Sequence, residues 1–217
     1  MESQVRGGTR WKRFAVVMVP SVAATAAIGV ALAQGALAAS FSVSGQEFKV
    51  SADKLVGQHF TQYGALDSGK GLDGKDAAHP VAVSAFETAT ITNMCQSVVT
   101  PVPFLNNEIT LKLTAGNKGK AVAASDLYID VSNLDAEQAV FHGMDIGVAA
   151  GSAKGPKPKA EEYEGKKTSP FGFAQQADSV ELTGVHQTAW ATTAGTFTLS
   201  NLHMGLEWGS GAKHECY

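Results

Sequence analysis

The sequence predicts an all-β fold: a single-domain β-sandwich or wrapped β-jelly-roll, with a parallel β-helix as the second choice. Three observations carry this. Apolar and polar residues alternate with period two in segment after segment. Turn-forming clusters separate those segments. No long stretch beyond residue 40 repeats with helical period. Alternation of period two marks strands with one face to a core and one to water.

Ahead of the β region stands a different kind of segment. Arg6, Arg10, Lys12 and Arg13 form a basic head, and Phe14 to Ala39 carries no charge. The run ends in small residues, with Ala31-Leu32-Ala33 and Ala36-Leu37-Ala38 as A-x-A sites. This is the grammar of an export signal, or of a retained apolar helix spanning the membrane with its basic end inside. Residues 1–39 are therefore expected to be a signal or a single transmembrane anchor, and 40–217 an exported all-β domain.

The strands follow in chain order. Val81, Val83 and Ala85 open one segment, and Thr88, Thr90 and Thr92 flank Ala89 and Ile91 in the next. Ile109, Leu111 and Leu113 alternate with Thr110, Lys112 and Thr114. Leu127, Ile129 and Val131 alternate with Tyr128 and Asp130. Phe197 and Leu199 sit among Thr196, Thr198 and Ser200, then Leu202, Met204, Leu206 and Trp208 alternate with His203, Gly205 and Glu207. Abundant Val and Thr suit a pleated surface. Gly69-Lys70-Gly71, Asp73-Gly74 and Asn106-Asn107 mark turns, and Gly116-Asn117-Lys118-Gly119 predicts a hairpin joining its two flanking runs. The Pro-, Gly- and charge-rich segment 151–170 reads as a mobile surface loop, or as a boundary between two parts of one sheet system.

Composition excludes some partners. All three arginines precede residue 14, and beyond them lysines are outnumbered by acidic residues. A mildly acidic domain without arginine lacks the bidentate donors of nucleic-acid readers.

Catalytic and metal motifs are missing. His59, His79, His142, His186, His203 and His214 show no metal-ligand spacing, and there is no C-x-x-C, so no metal or cofactor is implied. His79 precedes Pro80 and His142 precedes Gly143, which reads as turn positions. The Gly-flanked serines Ser44, Ser68, Ser152 and Ser210 all fail G-x-S-x-G, which sets a nucleophile on a strained strand-to-helix turn. Glu161-Glu162 and Glu164 read as a solvated charge run. Phe171 and Phe173 either offer a lipid or partner contact or plug one end of the sheet system.

The stretches MESQVRGGTRWKRFAVVMVPSVAATAAIGVALAQGALAASFSVSG, ITNMCQSVVTP, FGFAQQAD, AWATTAGTF and the final ECY together resemble a family of uncharacterised streptomycete envelope proteins. The resemblance runs over nearly the whole chain. It implies an exported or membrane-tethered protein of the actinobacterial surface, of unknown function. Some members carry the automatic label cholesterol esterase, and the resemblance brings no catalytic residues.

Three functions compete. One is a non-catalytic binding or assembly module of the envelope, with a membrane-protein partner. The second is a lipid or sterol carrier, its cavity lined by residues such as Leu111, Ile129, Leu202 and Met204. The third is a lipid-ester hydrolase. Outside the cytoplasmic membrane, two cysteines without a metal motif imply one disulfide, Cys95–Cys216. Two free thiols, or an intermolecular bridge through Cys216, are the alternatives.

Overall fold

The computed structural model describes residues 43–103, 105, 107–159, 162 and 167–217. The expected signal or anchor at 1–39 lies outside the described residues. The all-β, single-domain expectation holds for the rest. The strands are β1 (Val43–Ser44), β2 (Phe48–Lys70), β3 (Asp76–Thr92), β4 (Met94–Val102), β5 (Asn107–Ala115), β6 (Val122–Asp135), β7 (Gln138–His142), β8 (Asp145–Ala149), β9 (Phe173–Thr193), β10 (Thr196–Thr198) and β11 (His203–Trp208). A single 3-10 turn, Ala150–Ser152, follows β8.

Two long antiparallel hairpins carry the architecture. The first pairs β2 with β3 and then β4, in one register from Lys70↔Asp76 to Lys49↔Ser97. The second pairs β6, β7 and β8 with β9 and β10. β3 also pairs with β6, and β2 with β9. The ladder β2–β3–β6–β9 thus returns to β2, and each of these four strands is bonded along both edges. The sheet wraps into a closed ring, which removes the edges that long strands would otherwise expose. Every ladder is antiparallel except β1–β2, so the pairing is not that of the second-choice parallel β-helix.

At 23, 17 and 21 residues, β2, β3 and β9 far exceed the usual strand of about 3–10 residues. They bend at two transverse belts. His59 (φ 50°), Asp126 (φ 48°) and Gly143 (φ 64°) take left-handed backbone at one level, opposite Glu87 and Asp178. Asn93 (φ 50°), Gly116 (φ 78°) and Gly184 (φ 58°) do so six residues along, opposite Asp53 and Glu137. Such residues interrupt a ladder, increase coiling and let the buried side of a strand switch phase. On β6, Val122 and Ala124 are buried before Asp126, and Leu127, Ile129 and Val131 after it. Polar side chains close the belts: His59 Nδ1 lies 2.6 Å from Glu87 Oε2, and Asn93 Nδ2 donates to Asp53 Oδ2. Asp, Asn and His tolerate left-handed backbone better than other side chains do.

The main core is filled by all four ring strands. Phe60, Phe86, Leu127, Val122, Val180 and Val185 are almost wholly buried. The rings of Phe60 and Phe86 are 5.4 Å apart, and those of Phe60 and Phe141 5.5 Å. A second, smaller cluster gathers Tyr63, Val81, Val83, Ala150 and Ala174 toward the β2–β3 turn.

Two expectations change. GNKG joins β5 to β6 without pairing them. β5 bonds β4 and β11 instead, because Gly116 donates to Ser200 O and accepts from Asn93 N–H, turning the chain away. His79 lies within β3 and His142 ends β7, so neither is a turn residue. The described residues of the charged segment 151–170 hydrogen-bond to β2 and β9. Leu66 N–H donates to Lys167 O at 2.9 Å, Thr168 Oγ1 to Gly64 O at 2.7 Å, and Lys154 N–H to Gln176 Oε1 at 2.7 Å.

Candidate functional site

Beyond the ring, β4, β5 and β11 form a three-stranded wing. Its polar face carries Cys95, Ser97, Thr110 and Lys112, and the C-terminal residues fold over it. Cys95 and Cys216 are joined by a disulfide, with Cα atoms 5.7 Å apart. Cys216 N–H donates to Ser97 Oγ at 3.1 Å, and Lys112 Nζ to Glu215 O at 3.0 Å. Lys49 Nζ, from the ring, donates to the Tyr217 backbone oxygen at 3.1 Å and lies 2.8 Å from Glu215 Oε2. The hydrogen bond from Lys49 holds the Glu215 carboxyl below its ordinary range.

The tail therefore claims the polar face and leaves the apolar one outward. In register, Met204 faces Leu113, Leu206 faces Leu111 and Trp208 faces Ile109, and the rows continue to Gln96, Val98 and Thr100 of β4. Met204, Leu206 and Trp208 are 60, 72 and 61 % exposed. Cross-strand pairs of this kind normally line a core. Here Leu113 packs against the main core and Ile109 and Leu111 are half-buried, while Met204, Leu206 and Trp208 form an outward apolar row, the type of patch that marks an interaction site.

Phe171 and Phe173 stand elsewhere, where the segment 151–172 rejoins β9. They are 90 and 64 % exposed, so the end-plug alternative is corrected: neither ring reaches the core. Ile146 is also exposed, and its register partner Gln175 is two residues from Phe173 on β9, so the two share a face.

A third cluster is polar and buried. Asp67 and His79 are register partners on β2 and β3, and Tyr63, Val83 and Asp130 share a row across β2, β3 and β6. The Asp67 carboxyl lies against that of Asp130. Burial first, then the charges of Asp67 and Glu162, push Asp130 up to about 8. Burial also raises Asp67, against the pull of Asp130, Lys167 and His79. Two neighbouring buried carboxyls do not both ionise cheaply, which is why both are raised. Tyr63 donates its hydroxyl to Glu162 Oε2 at 3.1 Å, and burial raises both groups. Lys159 Nζ sits 4.7 Å from the Tyr128 ring centroid, and the His79 ring stacks on Trp190 at 3.6 Å. Glu162 is thus a bonded member of a buried group rather than part of a solvated run; Glu161 and Glu164 lie outside the described residues.

The remaining candidates do not converge. Ser44 lies in β1, Ser68 in β2, Ser152 in the 3-10 turn and Ser210 after β11. Among the described residues no histidine is hydrogen-bonded to any of them; the Ser44 hydroxyl donates to Gln46 O. The four residues expected to line a lipid cavity also separate. Ile129 is packed in the main core and Leu111 is half-buried on the wing, while Leu202 and Met204 are exposed at 50 and 60 %.

The fold and surfaces define an all-β, disulfide-closed module with a packed interior and outward apolar faces. The chain belongs to the family of unknown function DUF6230, whose family model matches residues 44–217. No curated protein and no solved structure matches it.

Proposed function

We propose that this chain is an exported cell-envelope protein that works by surface association, as a binding or assembly module, and does not catalyse a reaction. The observation that carries the reading is the outward apolar alternation of β11 beside a ring whose interior is filled. A packed core argues against a carrier, which needs a hollow to enclose an acyl chain or sterol. The disulfide and the apolar run 14–39 support placement outside the cytoplasm, secreted or anchored, where a membrane-protein partner or a lipid surface is in reach.

Native mass spectrometry of protein isolated gently from its expressing cell tests this together with an ester panel. The expected result is a lipid-free mass and no turnover of p-nitrophenyl or cholesteryl esters. A stoichiometric bound lipid would replace the reading with the carrier; ester turnover lost on changing one of Ser44, Ser68, Ser152 or Ser210 would replace it with the hydrolase.

A further inference from the structure

β11 is the free end of the wing. Among the described residues it pairs with β5 and with no other strand. Gly209 N–H, just past the strand, donates to Glu108 O at 2.9 Å. In an antiparallel ladder the hydrogen-bonding direction alternates residue by residue. His203, Gly205 and Glu207 therefore bond β5, and Met204, Leu206 and Trp208 turn their N–H and C=O groups to the outer edge. Natural edge strands are guarded by lysine, proline, bulges or inward charges. The segment HMGLEW contains no lysine or proline, and the register with β5 is unbroken.

We propose that β11 pairs antiparallel with β11 of a second copy of this chain, about a two-fold axis at Gly205. Out-turned residues must face out-turned residues, so only registers that set even positions against even positions are allowed. Centring on Gly205 places Met204 opposite Leu206 of the second copy, and Leu202 opposite its Trp208. The same register sets His203 opposite Glu207 of the second copy, and the symmetry makes that pair twice. Centring on Leu206 loses it, because His203 would then face Gly209 and Glu207 would face Gly205. Centring on Met204 loses it too, setting His203 against Gly205. Glu207 Oε2 already lies 2.9 Å from His214 Nδ1 of its own chain, and the register centred on Gly205 is the one that brings His203 of the second copy to that same carboxylate. Gly205 sits where the two chains come closest, and the space where its Cβ would stand is open to 4 Å.

The pairing joins two wings into one six-stranded sheet and sets their apolar rows side by side. The surface buried per copy is on the order of a few hundred Å², below the roughly 800 Å² per partner of standard interfaces. The dimer is therefore concentration-dependent rather than obligate.

Sedimentation velocity of the purified protein over a wide concentration range tests the association, and a cross-link tests the register. Both native cysteines are bonded to each other, so Gly205→Cys adds a single free thiol. Opposed residues at a non-hydrogen-bonded antiparallel position have Cα atoms about 4.5 Å apart, within disulfide range. Gly205→Cys is expected to give a disulfide-linked dimer under mild oxidation, at least tenfold faster than the exposed control Ser210→Cys. Leu206→Pro removes an outward N–H and leaves the β5 ladder intact, so it is expected to abolish the dimer with the melting temperature nearly unchanged. Glu207→Lys is expected to weaken association, and His203→Glu added to it to restore association. A monomer at every concentration overturns the proposal. So does Gly205→Cys linking no faster than the control, or a dimer that survives Leu206→Pro in the still-folded protein.

Discussion

The ring of Tyr217 lies stacked on that of His186, their centroids 4.4 Å apart and their planes 16° from parallel. His186 is on β9 of the closed ring, so the last residue of the chain rests on a strand with which, among the described residues, no wing strand pairs. Lys49 reaches the same ring at 5.2 Å. The C-terminal residues thereby bind wing and ring together, with Cys216 bonded on one side and Tyr217 stacked on the other.

The disulfide closes a segment of 121 residues. Loop-entropy estimates for that size are about 4–5 kcal/mol. Cys216→Ser is expected to lower the melting temperature by about 10 °C in a domain of this size. Reduction of the native protein should reproduce the shift. Differential scanning calorimetry checks both, and a shift under about 1 °C would show that the remaining tail contacts hold the wing alone.

Stability is expected to fall as pH rises from 5 to 9. Asp130 is raised to about 8, so between the ordinary Asp value of about 3.9 and 8 the folded chain holds a proton that the unfolded chain releases. The associated stabilisation is complete below the ordinary value and is lost as pH passes through 8. The groups facing Asp130 are Asp67, Tyr63, Tyr128, Glu162 and Lys159, and His79 and Lys167 act on its partner Asp67. Asp130→Asn keeps a donor toward Asp67 and should flatten the slope, leaving the variant more stable than the native protein at pH 9. Urea denaturation at pH 5, 7 and 9 reads this directly; equal slopes in the two proteins would contradict a raised Asp130.

Gly57 is packed beneath Phe86. A methyl group there would collide with the Phe86 ring, which is 2 % exposed and held by Phe60. Gly57→Ala is expected to cost about 1–3 kcal/mol by overpacking. Gly64→Ala, on the same strand with open space at its Cβ, is the control and should be neutral. Chemical denaturation that gave the two variants the same midpoint would contradict this packing.

Phe171→Ser and Phe173→Ser, together, are expected to change stability by no more than about 0.5 kcal/mol, as surface substitutions do. Both rings are largely in water. A loss of several degrees in thermal melting would instead return the rings to a plugging role.

Much of the strand content could be read from alternation, because β5, β6 and β11 keep one phase over their central residues. The belts were not legible. Val81–Ala85 and Thr88–Thr92 read as two segments because the bulge level at Glu87 breaks the alternation, yet both lie in β3. Alternation also shows that a strand has two faces without showing which is covered. For β11 the answer depends on Lys49, Glu215 and the disulfide, groups that come together only in the folded chain. The carboxyl cluster was hidden by distance: Tyr63 and Glu162 are 99 residues apart. Its one local trace is phase, since Asp67 continues the buried series Tyr63, Ala65. A charge standing in an apolar phase was the available sign, and its partners were not visible from it.

Ring closure also constrains how such a chain can change in length. The left-handed residues His59, Asp126 and Gly184 of β2, β6 and β9 must each stay level with their register partners on the neighbouring strands. One residue inserted in any of these strands misaligns two ladders, and repair requires matching insertions around the whole circuit. Segments 71–75 and 117–121 and the described residues of 150–172 lie outside that circuit. Evolutionary gain and loss of residues is thereby channelled to connections such as these, while the strand lengths are inherited as a linked set.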